Sequence, residues 1–206
     1  MEKNVQEILE KAKDTINKKG FLDLPDRKAI LEYFGDVVYE KYYFGAVPIT
    51  EGLKKRVHLA ELCVEKVLHE WETNMPNNLG PTEVLNLTKA YLEMKISSDI
   101  LQTEEERLSD YAKELSNIHT TEVFPFVALA ASQVAHIALN DEPIFRTTVA
   151  NTKDKDIDTD EWDIEDVAFN TCLVYSKGHT LDENSDKEKR KEFWLWYVEE
   201  AVPKVF

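Results

Sequence analysis

The residues best suited to bind a partner are acidic and lie close together in the second half of the chain. They are Asp154, Asp156, Asp158, Asp160, Glu161 and Asp163. Glu165 and Asp166 follow, which makes eight acids in thirteen residues. Because such a cluster repels itself, a positively charged partner is one physical reason to keep it, and a solvated negative surface is the other. We predict that the first six carboxylates contribute to partner binding.

The same segment has the spacing of a calcium-binding loop. The acids from 154 to 160 alternate, and Glu165 comes eleven residues after the first of them. However, Thr159 stands where the sharp turn of such a loop needs Gly, and Glu161 stands where the motif packs an apolar residue. We therefore interpret the segment as an acidic surface loop in which Thr159 or Asp160 begins a helix, and calcium binding is the alternative.

A second polar pattern lies on the third predicted helix. Its members follow one side of the helix: His58, Glu61, Glu65, His69 and Glu72. His and Glu side chains stacked on one helix could supply half of the ligands of a metal site. A two-metal carboxylate centre, however, also needs Glu-x-x-His pairs on other helices. No Glu precedes any of the five histidines by three residues. We interpret the pattern as a solvated face and predict no metal and no cofactor.

Recognisable catalytic motifs are missing. His69-Glu70 is not followed by the second His of the zinc-protease motif, and there is no nucleophile elbow, phosphate-binding Gly-rich loop or catalytic Cys/His pairing. Cys63 and Cys172 lie far apart in helical contexts, so we expect two reduced, packed thiols. His136 falls on an apolar helix and is expected to be a hydrogen-bonded core histidine. The sequence thus weighs against an enzyme.

The elements that must position these residues are helices, because apolar residues recur at helical spacing along the whole chain. We predict a single-domain, orthogonal all-α bundle of about eight helices over residues 1–206. The first helix runs to Lys19 and is closed by Gly20. The second follows Asp23 and Pro25, passes through Gly35 and ends near Gly45. The third runs from Pro48 and Thr50 to about Asn74.

Five further helices are predicted after the third. The fourth begins at Pro81 and Thr82 and ends around Ile100, and the fifth begins with a capping box of Thr103 and Glu106. The sixth follows Glu122, the seventh starts near Thr159 or Asp160, and the eighth begins with a second capping box, Ser185 with Glu188. The sequence has no run of β-branched residues with a period of two, the pattern that indicates a β-strand.

Charge narrows the classes of partner. The chain has 40 acidic and 25 basic residues and a formal charge of −15. Such a field repels nucleic acid and anionic membranes and favours encounter with a basic protein. The N-terminus lacks the apolar region of a signal peptide, and the most apolar stretch, 123–139, is too short and too interrupted for a membrane span. We predict a cytoplasmic protein.

The C-terminal helix carries the most distinctive local pattern. It contains Lys189-Arg190-Lys191 and Phe193-Trp194-Leu195-Trp196-Tyr197, and it ends in Glu200-Ala201-Val202-Pro203. Aromatic residues occupy most of its circumference, which is typical of a helix buried among others. We predict that Trp194, Trp196 and Tyr197 are mainly core residues. An exposed docking helix is the alternative, since Trp and Tyr are enriched in binding hot spots.

That C-terminal pattern, preceded by Glu161-Trp162-Asp163, resembles the end of an all-α immunity-protein family encoded beside bacterial polymorphic toxins. Two further stretches resemble the middle of the family, 56–63 (Arg-Val-His-Leu-Ala-Glu-Leu-Cys) and the helix around 128–140. The resemblance covers roughly residues 50–206. The family has an Asp where this chain has Glu161. These motifs are expected to define the fold and not the toxin contact.

The resemblance implies a cytoplasmic immunity protein that blocks a cognate toxin by tight stoichiometric binding. Family members often neighbour nuclease toxins, and a nuclease must be basic to hold phosphates, which suits a binder of charge −15. The alternatives are a metal-binding helical enzyme and a helical adaptor that binds another protein by shape. The oligomeric state stays open.

Overall fold

The computed structural model describes residues 3–35, 47–142, 166–178 and 185–206. Within these ranges the chain forms helices and no strand, which confirms the all-α prediction. The eight α-helices are α1 (Lys3–Lys19), α2 (Leu24–Tyr33), α3 (Glu51–Asn74), α4 (Gly80–Leu92), α5 (Ser98–Ile118), α6 (Pro125–Asn140), α7 (Val167–Tyr175) and α8 (Lys187–Trp196). A π-helical turn, Tyr197–Ala201, and a last α-helical turn, Val202–Lys204, continue α8.

Several predicted boundaries are confirmed. Helix α1 ends at Lys19, and Gly20 has the left-handed φ of 82° that closes a helix without a Cβ clash. The Thr50 side chain caps α3 by accepting a hydrogen bond from the Leu53 amide at 3.0 Å. Helix α6 begins at Pro125, where a missing amide hydrogen costs no helical bond.

Two predicted boundaries are wrong. Helix α2 ends at Tyr33 and does not pass through Gly35, whose φ is 118°; residues 36–46 lie outside the described ranges. Helix α4 ends at Leu92 and not near Ile100. Its end is a Schellman-type closure, because Met94 is left-handed with φ 58° and the Lys95 amide donates to the Ala90 carbonyl.

Both predicted capping boxes are also wrong. Helix α5 already begins at Ser98, and the Thr103 hydroxyl donates to the Asp99 carbonyl inside that helix. Asp186, not Ser185, caps α8, because its carboxylate accepts from the amides of Glu188 and Lys189. The predicted start of the seventh helix near Thr159 or Asp160 lies outside the described residues.

Helix α6 is the centre of the bundle and packs against α3, α4, α5 and α7. Its small residues allow the neighbouring helices to approach closely, and nearly its whole circumference is buried: Val127, Ala128, Ala130, Ala131, Val134, Ala135, Ile137 and Ala138. The expected buried helix is thus confirmed. At one end of the core Trp71 contacts Tyr111 and Phe124, and its indole N–H donates to the Asn78 carbonyl at 2.7 Å.

Candidate partner-binding surface

The six carboxylates predicted to bind a partner, from Asp154 to Asp163, lie outside the described residues. The candidate calcium loop, 154–165, lies there too. Asp166, the last acid of the run, lies within the described residues and is buried. Its carboxylate caps α7 by accepting from the Ala168 amide at 2.8 Å, and it forms an ion pair with the buried Arg27. Asp166 is therefore a structural residue of the interior.

A second buried ion pair joins α3 to the end of α6. Arg56 Nε donates to Asp141 Oδ1 and Arg56 Nη2 donates to Asp141 Oδ2, both at 2.8 Å. Both side chains are 0% exposed. Arg56 Nη1 also donates to the Gly35 carbonyl at 3.0 Å, so one guanidinium fixes the ends of α2 and α6 relative to α3. Planar bidentate pairing of this kind sets both distance and orientation.

Sequence reasoning missed both ion pairs. Arg27 and Asp166 are 139 positions apart, and Arg56 and Asp141 are 85 apart. One signal was available for Arg56, because its neighbours Leu53, Val57 and Ala60 place it on the apolar side of α3. A charged residue on the buried face of a helix requires an opposite charge in the fold.

The polar pattern on α3 is solvated, as predicted, except at Glu61. His58, Glu65, His69 and Glu72 are exposed, whereas Glu61 is buried and faces α4. Its carboxylate lies 3.6 Å from His58 Nδ1 and 3.9 Å from Lys89 Nζ, and burial raises its pKa. Across the described part of the chain, no group of three or more His, Cys, Asp or Glu side chains could hold a metal ion.

The two cysteines are free and buried, as predicted. Burial raises the pKa of each thiol, which disfavours the reactive thiolate. Cys63, Arg56, Asp166 and Tyr197 line a cavity of about 20 Å³. That volume accommodates about one water molecule and is too small for a substrate.

His136 lies at the edge of the core and not at its centre. Its ring nitrogens are 3.9 Å from a Glu105 carboxylate oxygen and 3.8 Å from one of Glu142. Nearby carboxylates favour the protonated ring, but burial opposes it more strongly and lowers the pKa of His136 to about 4. Above that pH the imidazole is neutral.

The aromatic C-terminal helix is mainly core, which confirms the favoured prediction. Phe193, Trp194 and Tyr197 are buried, and their rings contact each other edge to face. Trp196 is only half-buried, and the Lys66 ammonium lies 4.8 Å from the centre of its ring. The helix therefore uses most of its aromatic surface for the fold.

The α4–α5 hairpin is defined here as residues 79–118. Its exposed side differs in composition from the rest of the described surface. The large apolar side chains that are well exposed in the described residues are Leu79, Met94, Ile100, Ile118 and Phe206. All but Phe206 belong to this hairpin. The hairpin also carries eight acidic and four basic residues, a net charge of −4.

The family model of immunity protein Imm5 matches residues 9–204. The chain belongs to the Imm5 immunity protein family. No curated protein matches it. In this Imm5 protein, most of the motif residues that suggested an immunity family from sequence alone lie in the interior: Arg56, Glu61, Cys63, Ala128, Phe193, Trp194, Tyr197, Ala201 and Val202. These residues build the interior of the Imm5 chain.

Within the described ranges of this Imm5 protein, no helix is both long enough and apolar enough to cross a membrane.

Proposed function

We propose that this protein neutralises a cognate bacterial toxin by tight stoichiometric binding, in the cytoplasm of the cell that makes the toxin. The observation that carries the proposal is the family match, which extends over residues 9–204. The buried position of the family motifs supports a binding role, because the side chains that mark the family pack within the fold. In this proposal the protein acts by occupying a surface of the toxin and not by catalysis.

We further propose that the toxin is a basic protein and that it is a nuclease. A nuclease needs a positive surface to hold phosphates, and a protein of charge −15 complements that surface. Electrostatic complementarity of this kind raises the association rate and suppresses binding to acidic proteins. The carboxylates from Asp154 to Asp163 supply the densest negative charge in the sequence.

Co-expression with the toxin encoded by the adjacent gene tests the proposal. We expect cells that make both proteins to grow and cells that make the toxin alone to stop. In vitro, nuclease activity should fall linearly with added protein and reach zero at one equivalent. Growth arrest of cells that make both proteins would contradict neutralisation. Inhibition by far less than one equivalent would contradict stoichiometric binding and would indicate an enzyme that modifies the toxin.

The acidic segment is tested separately. Replacing Asp154, Asp156 and Asp158 with Asn should lower the association rate at low salt, and added salt should reduce the difference from the parent. A matched control changes the net charge by the same amount at exposed acids elsewhere: Glu7→Gln, Asp14→Asn and Glu122→Gln. Equal association rates for the two triple variants would mean that the acidic segment has no special role.

A further inference from the structure

Exposed apolar side chains are concentrated on the α4–α5 hairpin. The exposed fractions are 60% for Leu79, 83% for Met94, 48% for Ile100 and 65% for Ile118. Single exposed apolar residues are common on protein surfaces, but here the large ones of the described chain fall on one hairpin, with Phe206 as the exception. Their distribution needs an explanation.

Two of these residues lie on a common side of α5, and the other two, Leu79 and Met94, flank the two ends of α4. Ile100 and Ile118 are 18 residues apart, which is five turns, so they lie on one face of α5 about 27 Å apart. Tyr111 is on the same face and contacts Trp71 near the start of α4. The start of α4 meets the middle of α5, because a Cβ on Gly80 would lie 3.1 Å from a Leu108 methyl group. The resulting surface has the width of a typical protein interface, roughly 30 Å.

Charge decides which partner fits this surface. Each of the four bases of the hairpin forms an ion pair with a carboxylate of the protein itself; they are Lys89, Lys95, Arg107 and Lys113. The acids Glu83, Asp99, Glu106 and Glu114 form no ion pair within the described ranges. A second copy of this chain would bring another charge of −4 against them, whereas a basic partner would pair with them.

We infer that the outer side of the α4–α5 hairpin is a docking surface for a basic protein whose own interface also carries apolar side chains. Under the proposed function, on which this inference rests, that protein is the cognate toxin. Leu79, Met94, Ile100 and Ile118 become buried in the complex and slow its dissociation, while the unpaired acids accelerate its formation.

Binding of the catalytically inactivated toxin domain from the adjacent gene tests the inference. The double variant Ile100→Ala/Ile118→Ala should raise Kd at least about thirtyfold, mainly through faster dissociation. Alanine preserves the helix, so the loss reports the missing side chains. Adding Met94→Asn should raise Kd further, because Asn tolerates the left-handed φ of 58° but lacks the apolar side chain. Glu83→Gln/Glu114→Gln should slow association at low salt only.

Phe206→Ala is the matched control. Phe206 is 41% exposed but packs on Tyr33 and Phe34, away from the hairpin, so its removal should change Kd less than about twofold. All variants should keep the parental melting temperature within a few degrees. Equal binding of the double variant and the parent would exclude this face and leave the proposed function intact.

Two other results would also overturn the inference. A parent that binds no toxin and rescues no cells would remove the proposed function and the docking surface together. Sedimentation that shows a parental dimer, dissociated by Ile100→Ala/Ile118→Ala, would assign the face to a second copy of the chain.

Discussion

Asp141→Asn removes the charge of the buried Arg56–Asp141 pair with almost no change of shape. Asn accepts the left-handed φ of 53° at this position, so the backbone is not strained. The Arg56 guanidinium then stays buried at 0% exposure, and its carboxylate partner is gone. Removing one partner of a buried pair costs about 3 to 5 kcal/mol. We expect about 3 kcal/mol, because the amide oxygen still accepts one hydrogen bond.

Urea denaturation followed by far-UV circular dichroism measures this loss. For a chain of this size about 3 kcal/mol corresponds to a melting temperature roughly 6 to 12 °C lower. A double-mutant cycle with Arg56→Met isolates the pair. The double variant Arg56→Met/Asp141→Asn should be more stable than the sum of the single losses predicts, since it leaves no unpaired buried charge.

The surface pair Lys113–Asp110 provides a control. Its atoms are 3.5 Å apart and the Asp110 side chain is 81% exposed, so Asp110→Asn should leave the urea midpoint unchanged. The reasoning about Arg56 and Asp141 is refuted if Asp141→Asn loses less than about 1 kcal/mol. It is equally refuted if the two single losses add to within about 0.5 kcal/mol.

Three further predictions follow from the interior. Because the pKa of His136 is lowered to about 4 in the folded state, the unfolded state binds more protons between about pH 4 and 6.5. Lowering the pH through that range should therefore destabilise the parent by up to about 3 kcal/mol relative to His136→Gln. Urea unfolding of both proteins at each pH measures this difference. Cys63 and Cys172 should not react with a thiol reagent until urea unfolds the chain. Trp194→Ala should cost about 3 to 5 kcal/mol and Trp196→Ala clearly less; unchanged melting with lost partner binding would instead make the aromatic helix an interface.

Local chemistry was enough to predict the fold class and part of the helix boundaries. Thr50 and Gly20 act as the sequence indicated, because a cap depends on residues only a few positions away. Thr103 does not, because a capping motif also occurs inside helices, where its hydroxyl bonds to the preceding turn. Such a motif predicts a start only if the helix does not already extend through it.

Residues whose role depends on distant partners could not be assigned in advance. Asp166 looked like one more member of an acidic run, yet Arg27, far away in sequence, draws it into the interior. Glu61 shares helical spacing with four solvated neighbours, but α4 covers it. The exposed apolar residues of the α4–α5 hairpin carried no signal of their own, since periodicity cannot show which face the fold leaves uncovered.

Because the family motifs are buried, this protein tolerates substitutions better at its surface than in its interior. Substitutions on the exposed faces usually shift stability by no more than about 0.5 kcal/mol, whereas changes to Arg56 or Trp194 affect the folded state itself. The surface can therefore accumulate replacements one at a time while the interior holds the bundle together. An immunity protein with this division can acquire a new surface through successive substitutions while it keeps the same fold.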